Sequence, residues 1–197
     1  KIVAGDASST TGDVLLEGYY GNGATVVIGS ERSSGGVFLG YGVQPSTTTQ
    51  GQFLSSSSAT LSQGAYVVSD THKWYTVTAG SSVAIGSQLT TMTERMRITS
   101  AGNVGIGTDS PAAALQISKR LTNAGGPAAG ASTASACFGN DGSDDNYGLV
   151  LGADGNGRGY ISAQRTDGTA TTYDLMLQLS GGNVGIGTDN PDSPLHI

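Results

Sequence analysis

Sixteen residues, Gly102 to Ile117, return 80 positions later as Gly182 to Ile197, GNVGIGTDSPAAALQI against GNVGIGTDNPDSPLHI, with 11 of 16 positions identical. So long a spacing, with dissimilar sequence between the copies, describes a repeated module and not a short solenoid period. Val104 and Ile106 alternate with Gly105 and Gly107, and Val184 and Ile186 with Gly185 and Gly187. Each copy is therefore a short extended segment with branched apolar side chains on one face and none on the other. The bare face admits another backbone at close range. Pro111 or Pro191 then fixes a turn and cannot donate to a ladder, after which Leu115 and Ile117, or Leu195 and Ile197, resume the alternation. These Val, Ile and Gly positions are the expected structural clamp, the apolar ones facing a core shared between chains and the glycines permitting close chain approach.

Composition limits how such modules are stabilised. Of 197 residues 32 are Gly, only 12% are charged and 6% aromatic, and much of the 37% hydrophobic content is alanine. A single chain then has little apolar area to set against chain entropy, so intertwining of several chains is expected. Low charge with recurring apolar runs argues against disorder. A net charge of −6 and a pI near 4.6 disfavour nucleic acid and anionic membrane surfaces as partners. No stretch approaches the ~20 apolar residues that span a bilayer, and the apolar run at Lys1-Ile2-Val3 is too short for a signal peptide. The chain does not begin with Met and is expected to be a fragment. Cys137, the only cysteine, cannot form an intrachain disulfide and reads as a small packed apolar residue.

Taken in order, Val14 to Tyr20 and Thr25 to Gly29 read as a hairpin around Gly21-Asn22-Gly23. Val37 to Tyr41 reads as a further strand, Gln44 to Gly51 as a polar loop, and Ser55 to Ser58 as a loop or solvated edge. Ala65 to Val68 and Trp74 to Val77 form a second expected pair, followed by Ser82 to Ile85. Across 92–98, Met92, Met96 and Ile98 share one parity, giving a buried and a wet face, with Glu94 as the exception. Ser118 to Ala136 is Ala, Gly, Ser and Thr, either a connector or a segment packed tightly by its small residues. Tyr147 to Leu151 and Gly159 to Gln164 read as strands around Asp154 to Gly157, and Leu175, Leu177 and Leu179 alternate into the second repeat. Nothing combines helical periodicity with caps, so the fold class is all-β with little helix. The expected organisation is a first β module at 1–101, serving as candidate receptor-binding head; the first repeat at 102–117; a second module at 118–181; and the second repeat at 182–197.

The apolar strand ending in GNVGIGT, the Pro turn and Leu-x-Ile resemble segments in the distal parts of bacteriophage tail fibres and tail spikes. The flanks, Thr93-Glu94-Arg95-Met96-Arg97-Ile98, Tyr147-Gly148-Leu149 and Gly159-Tyr160-Ile161, agree with that family. The resemblance implies an elongated, intertwined homotrimer of β-prism or triple-stranded β-helix type, located in the virion and outside the cell. It also implies a bacterial surface polysaccharide or lipopolysaccharide as receptor, and a self-cleaving trimerisation chaperone that often begins where Ile197 ends. Two alternatives stand beside it, a polysaccharide depolymerase and a trimeric bacterial adhesin.

Individual constellations are weaker. Gly105-Ile106-Gly107 lacks the third glycine and following helix of a dinucleotide site, and Gly155 to Gly159 lacks the Lys-Ser/Thr of a P-loop. Asp141 to Asp145 resembles part of a calcium loop but lacks its companion glycine and distant glutamate. With His72 and His196 the only histidines, no His-x-His pair is present, and no metal or cofactor is expected. Asp13, Glu17, Glu31, Asp70 and Glu94 are the candidate carboxylates of the first module for a glycosidase pair, which only the fold could bring together; Glu31-Arg32 and Glu94-Arg95 read as charge pairs, so an enzyme is not expected. For recognition, Asp70-Thr71-His72-Lys73-Trp74-Tyr75 is the best stretch, because aromatic faces stack on sugar rings while neighbouring polar groups read hydroxyls. His72, Trp74, Tyr75, Tyr19, Tyr20 and Tyr41 are the candidate ligand-binding residues.

Overall fold

A computed structural model describes residues 14–19, 25–31, 36–46, 48–49, 51–57, 63–77, 83–118, 135–139, 146–171 and 173–197. These residues are all-β, with no helix among them. The chain divides into two units, Lys1–Ser118 and Lys119–Ile197, so the first repeat belongs to the first unit's sheet and is no segment of its own.

Unit 1 is built on an eight-stranded sheet in the order β1-β2-β3-β6-β7-β8-β9-β10. Its strands are β1 (Val14–Tyr19), β2 (Thr25–Ser30), β3 (Val37–Tyr41), β6 (Gly64–Val68), β7 (His72–Val77), β8 (Met92–Ile98), β9 (Val104–Ile106) and β10 (Leu115–Ile117). All neighbours are antiparallel except β9 and β10, which are parallel. A separate hairpin, β4 (Val43–Pro45) and β5 (Phe53–Ser55), lies over one face; β4 thus takes the start of the expected polar loop. Val27, Phe38, Val43, Phe53, Val67 and Leu89 form the core between them, with the Phe53 ring 5.9 Å from Phe38 and 4.9 Å from Tyr75.

Three local outcomes differ from the sequence reading. The serine run is a loop, with Ser56 and Ser57 leaving the end of β5, but it is no solvated edge, because Ser55, Ser56 and Ser57 are buried; Ser58 lies outside the described residues. Their polar atoms are met within the chain: the Thr25 hydroxyl donates to the Ser56 carbonyl at 3.2 Å, Ser55 Oγ to the Ser57 carbonyl at 2.6 Å, and Gln63 Nε2 to Ser55 Oγ at 3.0 Å. Hydrogen-bonded in this way, a hydroxyl tolerates burial. Residues 83–87 form no strand; only Gln88 makes an isolated bridge, to Leu54. In β8, Trp74 pairs with Met96 while Tyr75 pairs with Glu94, so Arg95 is an extra residue opposite nothing. Such a bulge reverses the alternation. Met92 and Glu94 share the core face, Met92 packing against the core, whereas Met96 and Ile98 face the other way. Glu94 therefore stops being an exception, and it bonds Arg97 in bidentate fashion at 2.5 and 2.7 Å, not its neighbour Arg95.

Unit 2 contains a three-stranded antiparallel sheet, β11 (Ala136–Gly139), β12 (Tyr147–Ala153) and β13 (Gly159–Arg165), and a parallel pair, β14 (Val184–Gly185) and β15 (Leu195–His196). The β12–β13 turn is tied by Asp154, whose carboxylate accepts the Asn156 and Arg158 backbone N–H groups at 2.9 Å each and the Arg158 guanidinium at 2.8 Å. Cys137 is exposed on β11, not packed away. Most of the small-residue lead and the Asp141–Asp145 stretch lie outside the described residues. The expected strand through Leu175, Leu177 and Leu179 is not formed.

Candidate functional site

Paired residues of a sheet put their side chains on the same face. Following the register outward from β1 gives Leu16, Ile28, Leu39, Tyr66, Trp74, Met96, Ile106 and Ile117, one residue from each strand and all apolar or aromatic. A second row, Val37, Val68, His72, Ile98, Val104 and Leu115, runs beside it. This is the face opposite the core. Leu16 is 52% exposed, Val37 52%, Leu39 41% and Leu115 59%. A sheet with one wet face would alternate apolar and polar residues; this one is apolar on both.

Three of the six candidate ligand-binding residues meet on this outer face. Trp74 packs at a tilt against Tyr66, their ring centres 5.0 Å apart, and stacks with His72 at 6.3 Å. The Tyr66 hydroxyl and His72 Nδ1 share a 2.6 Å hydrogen bond, which fixes that end of the cluster. Gly64 is register partner to both Tyr41 and Thr76 and puts no side chain between them. The resulting hollow, about 650 Å³, is walled by Val26, Tyr41, Tyr66 and Trp74. Tyr75 points into the core against Phe53, and its hydroxyl is pushed well above the ordinary tyrosine value by burial and then by the Glu94 carboxylate. Tyr19 ends β1, and its side chain, like the whole of Tyr20, lies outside the described residues.

The two repeats close in the same way. In the first, Asn103 Nδ2 donates to the Pro111 carbonyl at 3.2 Å; in the second, Asn183 Nδ2 donates to Pro191 at 2.9 Å. Val104 N–H reaches the Ala114 carbonyl at 2.8 Å, as Val184 reaches Pro194 at 3.0 Å. A Cβ on Gly105 would stand 2.7 Å from the Thr108 carbonyl oxygen, and on Gly185 2.7 Å from that of Thr188. The backbone that approaches these glycines is thus the chain's own, three residues further along each motif. Gly107 and Gly187 turn the strand with φ of 72° and 77°. Their apolar partners stay open: Ile106 is 39% exposed, Ile186 56% and Leu195 57%, while Val104 and Val184 are half-buried.

Of the carboxylates, Glu31 is buried and its pKa raised by desolvation, which the nearby Lys73 charge opposes. Glu94 is held by Arg97, and Asp70 is exposed on the β6–β7 hairpin beside Ser69. Among the described residues no cluster of three His, Cys, Asp or Glu side chains is assembled. Sequence reasoning missed Tyr66, Leu39 and Ile117 as members of the site. Their signal was present only as parity within separate strands, and it takes the register to join them into one row.

No family model, curated protein or solved structure matches the chain.

Proposed function

We propose that this chain is a segment of an elongated homotrimeric attachment fibre of the phage tail-fibre kind, whose copies pack through the outer face of the eight-stranded sheet and whose surface meets a bacterial glycan. The apolar outer row from Leu16 to Ile117, exposed at Leu16, Leu39 and Ile106 and half-buried along the rest, carries the reading. Contiguous apolar patches of this kind are rare on monomers and typical of interfaces between copies. Covering a large apolar side chain is worth about 1.5–3 kcal/mol, so several rows' worth contributed by facing copies stands against an association cost of roughly 4–15 kcal/mol. Three copies, as opposed to two, rest on the resemblance of the repeats.

The glycan part rests on the resemblance and on the aromatic residues around Trp74, which lie on the same outer face, so a copy and a sugar compete for the hollow there. Tyrosine and tryptophan faces at its walls suit stacking on a sugar ring. Catalysis is no part of the proposal.

Sedimentation and light scattering on the chain test it. A trimer is expected, and Leu39→Lys is expected to convert it to a monomer that keeps its β circular dichroism, since the lysine sits on a face that the core does not use. A monomeric unsubstituted chain overturns the reading. Trp74→Ala separates the two roles of the aromatic end: loss of binding to host polysaccharide with the trimer intact assigns Trp74 to sugar, whereas dissociation assigns it to the interface.

A further inference from the structure

At the 80-residue offset, the lead into the second repeat, Asp174-Leu175-Met176-Leu177-Gln178-Leu179, aligns with Glu94-Arg95-Met96-Arg97-Ile98-Thr99 of β8 and its end. The acidic residue, the methionine and the following Ser100/Ser180 and Gly102/Gly182 correspond. In unit 1 that stretch is a strand hydrogen-bonded on both edges, to β7 and to β9. In unit 2 it has no strand pairing, and β14 bonds only β15.

The consequence is a run of bare apolar side chains. Leu175 is 42% exposed, Met176 68%, Leu177 59% and Leu179 75%. The backbone is also out of register with its counterpart. The turn that closes with Gly102 N–H to Thr99 in the first copy closes with Gly181 N–H to Gln178 in the second, one residue earlier. Gln178, where β8 has extended Ile98, takes φ of 55° and is the only non-glycine with positive φ among the described residues. A side chain with a Cβ is disfavoured there, so the unpaired arrangement is strained as well as exposed.

We infer that residues 174–179 become a strand when a second copy of this chain pairs with them, taking the place that β7 takes beside β8. The first repeat supplies the template for what covers this sequence. No described strand of unit 2 stands where β7 stands in unit 1, because the positions 80 after β7 are the end of β12 and the Asp154–Gly157 turn. Pairing satisfies the open backbone groups, extends β14 on its free edge and covers the leucines, a strand addition in which main-chain bonds give affinity and alternate side chains give register. The inference rests on the self-association proposed above, and it names where that association orders the chain.

Hydrogen exchange read by mass spectrometry, on the full chain above and below its association concentration, tests it. Amides of 174–179 are expected to slow by about ten-fold or more on association. Fast exchange in a demonstrated trimer overturns this inference while leaving the fibre reading standing; protection that does not depend on concentration overturns it too, since the strand would then form within one chain. A chain monomeric at every concentration overturns both. Leu177→Pro, which removes one N–H and fixes φ far from the eight-stranded sheet in sequence, is expected to weaken association about ten-fold, and association as tight as that of the unsubstituted chain overturns the inference.

Discussion

The two repeats have nearly the same sequence and the same internal bonds, yet one is woven into a sheet and the other stands almost alone. Asn103 and Asn183, Gly105 and Gly185, and the two Pro turns hold their loops with matching partners. Beyond the loop they part. β9 runs through Val104–Ile106 beside β8, whereas β14 stops after two residues with no described strand on its outer edge. Local closure is therefore encoded inside the sixteen residues, and strand length is set by what lies alongside, as expected when sheet propensity is mainly a matter of neighbours.

The two loops should diverge most at the shared glycine. Gly105→Ala forces a Cβ against backbone that cannot step aside and, lying between β8 and β10, is expected to cost about 2 kcal/mol, lowering the unit 1 melting transition by roughly 10 °C. Trp74, the only tryptophan and a unit 1 residue, reports it by fluorescence. Gly185→Ala meets the same obstacle but should leave the Trp74 transition in place and move only a unit 2 reporter attached at exposed Cys137. Equal shifts at Trp74 for both variants would deny that the loops differ in their surroundings.

A milder test removes the side-chain clasp. Asn103→Ala and Asn183→Ala each lose one bond to a proline carbonyl, an effect of about 1 kcal/mol. It should appear in the Trp74 transition for the first variant and in the Cys137 reporter for the second, measured by urea unfolding.

The smallest effect sharpens the contrast between the units, which should answer acid in opposite senses. Glu31 in unit 1 has its pKa raised above 4.5 by burial, with Lys73 opposing. The folded state favours its proton, so the penalty is absent below 4.5 and grows as pH rises through the folded value. In unit 2 the Asp154 carboxyl is lowered below 3.8, first by the Arg158 backbone N–H, and Asp167 is lowered by its hydrogen bond from Arg165. Their stabilisation is present above 3.8 and is lost as pH falls through the lowered values. Thermal scans from pH 7 downward should show Glu31→Gln raising the Trp74 transition at neutral pH and not below about 4, while Asp154→Asn lowers the Cys137 transition at neutral pH and converges with the parent in strong acid.

Much of the strand map was legible because the apolar runs at Thr25–Gly29, Val37–Tyr41, Ala65–Val68 and Tyr147–Leu151 are long enough to declare themselves. Three things were not. The bulge at Arg95 inserts a residue without any mark in the sequence, so the even spacing of Met92, Met96 and Ile98 looked like one face when it is two. The Ser55–Ser57 run is polar in composition, and only its partners Thr25, Gln63 and Gly42 explain its burial. Leu175, Leu177 and Leu179 alternate as a strand should, but alternation gives a face and not a neighbour, and without a neighbour no strand forms. Among the site residues, Trp74 and His72 were visible from their local stretch. That they share a face with Val104 and Ile106 comes from the pairing of β7, β8 and β9 alone.

The parallel return within each repeat has a consequence for how such a chain can grow. An antiparallel connection sends the backbone back the way it came, so inserting a single strand by one reverses every later strand. Here the chain leaves β9, passes through 107–114 and re-enters as β10 travelling in its former direction, a crossover far shorter than the dozen or more residues that parallel strands usually require. A copy of this block can be added to a gene, or deleted from it, without reversing the heading of the strands downstream.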